Sequence, residues 1–172
     1  MTPEEQYEQY MKMHRDFSQS YAVVYKQVMD FYPLPQKFIK EAEPEIDGQI
    51  EKLWTCRNNP TAEDTFHDFI YFAKNFKDFA GMANTIFEEY TELRNESGNY
   101  IKTVFRLKEK NYEDNCVKDE YAELIPVLHK LIGGFNEVKQ KTEEAARNLL
   151  KLQREWTSLK EKMDPAKGSA PP

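Results

Sequence analysis

The sequence predicts an all-α protein, an elongated up-and-down helical bundle whose last two helices form a long antiparallel coiled-coil hairpin. Three observations lead there. Apolar residues recur at alternating spacings of three and four along four stretches of the chain, the period of one helix face. Only six glycines occur in 172 residues, with 40% hydrophobic and 31% charged side chains, a balance that fits a folded helical core rather than a disordered chain. The links between stripes are short, which makes consecutive helices neighbours. The length suits one domain, expected over 1–163, and the closing DPAKGSAPP, 164–172, reads as a disordered tail.

The first stripe is Tyr7, Tyr10, His14, Phe17, Tyr21, Val24, Val28 and Phe31. It predicts a helix from about Pro3 to Tyr32, ended by Tyr32-Pro33-Leu34-Pro35 because prolines cannot continue the hydrogen-bond ladder. Ile39, Ala42, Ile46, Ile50 and Leu53 give a second, shorter stripe to about Arg57, with Pro44 kinking the helix rather than starting a new one. Asn58-Asn59-Pro60-Thr61 then makes a turn, and Thr61 with Asp64 resembles a cap.

The third stripe runs Phe69, Phe72, Phe76, Phe79, Ala83, Ile86, Tyr90, Leu93, Ser97, Tyr100, Val104 and Leu107 without losing step at Gly98. It predicts one helix over about 62–110, roughly 70 Å long. The fourth runs Val117, Tyr121, Leu124, Leu128, Leu131, Phe135, Val138, Thr142, Ala145, Leu149, Leu152, Trp156, Leu159 and Met163. Its phase survives Pro126, Gly133 and Gly134, so a single helix is expected over about 114–163 with Pro126 on the outward face. The short link at Asn111 to Glu113 makes the third and fourth helices antiparallel neighbours with a repeat suited to a left-handed coil.

Helix lengths suggest where binding occurs. The first two helices are much shorter than the hairpin and are expected to cover its base, near Phe66 to Met82 and Ala145 to Met163. The far end is then two helices alone, yet it is rich in apolar residues. That end, comprising Tyr100, Ile101, Val104, Phe105, Leu124, Ile125, Val127, Leu128 and Ile132, is the expected partner-binding surface, since large exposed apolar patches mark interfaces; the alternative is a hairpin that folds back at Gly98 and Pro126 and buries its own tip. The same geometry puts Cys56 and Cys116 far apart, so both are expected as reduced thiols.

Several chemistries lack support in the sequence. No paired Glu-x-x-His motif, no H-E-x-x-H, no G-x-S-x-G and no Gly-rich phosphate loop occurs, so neither a metal nor another cofactor is expected. Asp64, His67 and Asp68 suit a first helical turn better than a metal site. His14, on the apolar face of the first helix, reads as a hydrogen-bonded core histidine. The aromatic run FHDFIYFAKNFKDFAGMANTIF suits a thick bundle of three or four helices, and the stripe tyrosines are expected at the core margin, where their hydroxyls find partners.

A net charge of -6 argues against nucleic acid. Lys130 to Lys167 is locally basic, with nine Lys/Arg against six Asp/Glu, a mixture typical of a solvated helix face. No apolar run reaches the ~18 residues of a membrane span, and the acidic MTPEEQYEQY does not resemble a signal peptide, which points to the cytoplasm. The expected function is a non-catalytic scaffold or adaptor that binds a protein partner or forms a homodimer. The alternative is a peripheral membrane- or lipid-binding bundle using the basic face of the last helix or the aromatic core.

Overall fold

The computed structural model describes residues 2–56, 58–111 and 118–163. Among the described residues every regular element is an α-helix: α1 (Pro3–Phe31), α2 (Pro33–Thr55), α3 (Pro60–Asn111), α4 (Lys118–Ala122) and α5 (Ile125–Met163).

Prolines set most of the boundaries. Tyr32 alone separates α1 from α2, and Pro33 opens α2, where its missing N–H would have had no helical acceptor anyway. Pro44 lies inside α2 without dividing it. It is exposed, so the carbonyl it cannot bond is open to water. Pro60 opens α3, with the Glu63 amide donating to the Asn59 carbonyl at 2.8 Å. The side chain of Thr61, expected to cap this helix, lies outside the described residues. Gly98 sits within α3 and does not interrupt its 52 residues.

The one helix expected over 114–163 is instead two, a correction. α4 has 5 residues, Glu123 and Leu124 form a turn, and α5 has 39 residues. Pro126 has no N–H to donate to the Ala122 carbonyl, so the ladder stops and restarts with proline in the first turn of the new helix. The Leu124 amide closes a tight turn onto the Tyr121 carbonyl at 3.0 Å, and the Leu128 amide begins the new ladder on the Leu124 carbonyl at 2.9 Å. The apolar phase nonetheless crosses the break, because Tyr121 and Leu128 are both buried. Gly133 and Gly134 are ordinary helical positions in α5. Val117, Cys116, residues 112–113 of the expected link and the tail 164–172 lie outside the described residues.

The chain divides into two compact units. One combines Met1–Met29 with Ile86–Thr142, and the other Asp30–Thr85 with Glu143–Pro172. In the first unit, α1 covers parts of α3 and α5: Phe17 meets Tyr100 at 5.1 Å and Phe135 at 6.2 Å between ring centroids. In the second, α2 takes that place, with Phe38 edge-on to Phe76 at 5.5 Å and Phe72 stacked on Trp156 at 5.6 Å. The expectation that α1 and α2 both cover the base of the hairpin is therefore corrected, since α1 packs on Ile86–Thr142. The aromatic run of α3 does supply a three-helix core, in which Phe69, Phe72, Phe76 and Phe79 are buried.

Candidate functional site

The nine residues expected to bind a partner all belong to the unit built from Met1–Met29 and Ile86–Thr142. Because α1 covers this unit, they do not form one open surface. Tyr100, Val104 and Leu128 are core residues. Ile101, Leu124, Ile125 and Ile132 are half-buried. Phe105, 60% exposed, and Val127, 40% exposed, remain open to solvent.

α1 also assembles a site that the stripes did not single out. Its N-terminal half, the last turns of α3 and α4 enclose a half-open cleft of about 400 Å³ lined by Tyr7, Tyr10, Met11, His14, Val104, Lys108 and Tyr121. Helical spacing accounts for the walls. Tyr7, Tyr10 and His14 fall three and four apart on one face of α1, and Val104 and Lys108 are one turn apart on α3. The Tyr121 ring meets Tyr7 edge-on at 5.4 Å and Tyr10 at 5.0 Å, within the range aromatic pairs prefer.

A polar chain runs behind this wall. The Tyr100 hydroxyl lies 2.6 Å from His14 Nδ1 and 3.0 Å from the Tyr10 hydroxyl. A heavy-atom distance of 2.6 Å suits an O–H donor better than an N–H donor. Tyr100 therefore donates to Nδ1, and the neutral imidazole carries its proton on Nε2. Burial holds the His14 pKa below the ordinary histidine value, and the nearby Lys108 ammonium lowers it further. His14 is thus the hydrogen-bonded histidine its sequence position suggests.

Of the stripe tyrosines expected at the core margin, Tyr7 and Tyr21 are half-buried, while the other four lie deeper, a further correction. Tyr10, Tyr90, Tyr100 and Tyr121 are each at most 3% exposed, and the Tyr10 and Tyr100 hydroxyls satisfy one another inside the core. Burial raises all four pKa values. Tyr90, beside Tyr21, is pushed up to about 12. Tyr100 rises through burial and then Tyr10, Tyr121 through burial and then Tyr7 and Tyr10, and Tyr10 through burial, its hydrogen bond with Tyr100 acting in the opposite direction.

A compositional signal could have revealed this pairing. The first stripe carries Tyr7, Tyr10, His14 and Tyr21, and the remaining stripe tyrosines, Tyr90, Tyr100 and Tyr121, all fall between Ile86 and Thr142. The stripes of the other unit contain no tyrosine. Buried hydroxyls favour hydrogen-bond partners, which other hydroxyls and an imidazole can supply, and here the tyrosine-bearing stripes match one another.

The other candidates have structural roles. His67 lies 3.8 Å from Glu63 on the surface, and Asp68 pairs with Lys162 at 3.5 Å. His129 is exposed. Among the described residues no group of three His, Cys, Asp or Glu side chains could hold a metal ion, and no helix is long and apolar enough to cross a membrane. Cys56 is an exposed free thiol. Comparison with family models, curated proteins and solved structures returned no match, so the functional reading rests on the residues described above.

Proposed function

We propose that this protein is a non-catalytic, cytoplasmic scaffold or adaptor that works by self-association, with protein binding rather than chemistry as its output. In this reading α3 and α5 form an antiparallel coiled-coil hairpin, and a second copy docks on apolar side chains of the α1-containing unit. Pairing in that unit supports the hairpin. Glu89 meets Lys141 at 2.9 Å and Glu96 meets Lys130 at 3.5 Å, and a Cβ on Gly134 would touch Leu93. Numbers rise along one helix as they fall along the other.

The observation that carries the proposal is Phe105, a large aromatic side chain 60% exposed on α3. Covering such a side chain is worth about 1.5–3 kcal/mol when burial is complete, and aromatic anchors dominate protein interfaces. The membrane alternative has less support. Lys130, Lys141, Lys160 and Lys162 on α5 are engaged with Glu96, Glu89, Glu45 and Asp68, which leaves less unpaired positive charge for anionic lipid.

Light scattering across a concentration series tests this. The expected result is a two-chain mass for the native protein and a one-chain mass for Phe105→Glu. A one-chain mass for both overturns self-association through Phe105. Salt-sensitive sedimentation with anionic vesicles would favour the membrane reading instead.

A further inference from the structure

We propose that the cleft between α1, α3 and α4 binds a small aromatic carboxylate, with its ring against Tyr10 and Tyr121 and its carboxylate on Lys108. The site is independent of the Phe105 surface. Its volume of about 400 Å³ falls within the roughly 300–1,000 Å³ usual for small-molecule sites, which combine apolar walls with a few placed polar groups.

Charge selects the ligand class. The chain as a whole carries -6, yet among the described residues the cleft lining contains a lysine and no carboxylate. Lys108 is exposed and forms no ion pair with a described residue. Other lysines, such as Lys141 and Lys162, meet carboxylates across helices. Among the described lining residues an anion entering this cleft therefore meets positive charge and no like charge. His14 adds a neutral donor, because Tyr100 occupies Nδ1 and leaves Nε2–H as the remaining ring donor.

The walls select an aromatic body. Tyr121 already packs against Tyr10 at 5.0 Å with the planes inclined by 45°, and Met11 and Val104 complete the apolar lining. A flat ring can join such a cluster in the offset or edge-on arrangements aromatic groups favour. Sulfur–aromatic contact with Met11 adds to the same preference.

Indole-3-acetate and its neutral analogue indole-3-ethanol distinguish charge recognition from simple apolar uptake, with binding followed by NMR on the full chain. We expect the carboxylate to bind at least ~10-fold more tightly than the alcohol. Lys108→Met should reduce it to the level of the alcohol, whereas Lys110→Met, outside the lining, should leave it unchanged. Circular dichroism confirms that both variants fold. Binding should also raise the His14 pKa, since an anion offsets the Lys108 charge. Equal affinity for the two indoles, absence of saturation by either, or binding indifferent to Lys108→Met would overturn the proposal.

Discussion

The Tyr100 hydroxyl sits 2.6 Å from His14 Nδ1, joining residues 86 apart in sequence. With Tyr10 at 3.0 Å, it ties α1 to α3 through polar groups inside an apolar core. Tyr100→Phe removes the shared hydroxyl and leaves the buried Tyr10 hydroxyl and the half-buried His14 Nδ1 without it. A buried partner left unsatisfied costs about 1–3 kcal/mol. Urea unfolding should show a lower midpoint with an unchanged slope.

The same cluster makes stability depend on pH at both extremes. His14 has a folded-state pKa below its unfolded value, so the folded form binds protons less readily. Its contribution is present above about pH 6.5, the ordinary histidine value, and is lost as pH falls through the lowered folded value. The thermal midpoint should decline over that range, and His14→Gln should flatten the decline. The buried tyrosines act at the other extreme. Their folded values lie above the unfolded value of 10.0, to about 12 for Tyr90. Their contribution is complete below pH 10 and disappears above it. Phenolate absorbance from the buried tyrosines should appear only above pH 10 and together with the loss of the thermal midpoint.

Adjacent glycines in α5 should respond differently to alanine. A Cβ on Gly133 meets nothing within 4 Å, whereas one on Gly134 would lie 2.5 Å from Leu93 Cδ2. Replacing a helical glycine with alanine gains up to about 1 kcal/mol. Gly133→Ala should realise that gain, while Gly134→Ala should not, because Leu93 must leave its position. Denaturation midpoints of the two variants provide the comparison.

Two buried hydroxyls provide a further contrast. Thr142 donates to the Val138 carbonyl at 2.7 Å, whereas the Ser97 hydroxyl, 2% exposed, has no partner among the described residues. Ser97→Ala removes an unpaired polar group and improves helix propensity, so it should be neutral or stabilising by about 1 kcal/mol. Thr142→Val keeps the shape but removes a satisfied bond and should not stabilise. Calorimetry of the two variants tests the difference.

Periodicity revealed helices but not their companions. Each stripe residue of α3 from Phe69 to Leu107 is buried except Leu93, which is half-buried, because helical phase alone decides which side chains face inward. The break at Glu123–Leu124 was hidden by the same logic. A turn that preserves the seven-residue spacing between Tyr121 and Leu128 leaves no trace in the pattern, and the missing Pro126 N–H was the only clue. The placement of α1 is a different kind of information. Length limits how much of a long helix a short one can cover, but not which portion. Matching of Tyr10 and His14 to Tyr100 provides that choice. For this reason Tyr100 and Val104, read as an open surface, belong to the core, while Phe105 remains exposed.

The joining of residues 1–29 to 86–142 in one unit also constrains biosynthesis. As the chain leaves the ribosome, α1 emerges before its companions, which follow more than fifty residues later. At translation rates of roughly 5–20 residues per second, the interval before residue 142 appears is on the order of 10 s. Throughout it Phe17, Val24 and Val28 lack the α3 and α5 side chains that complete their unit, which leaves the apolar face of nascent α1 open to misassociation.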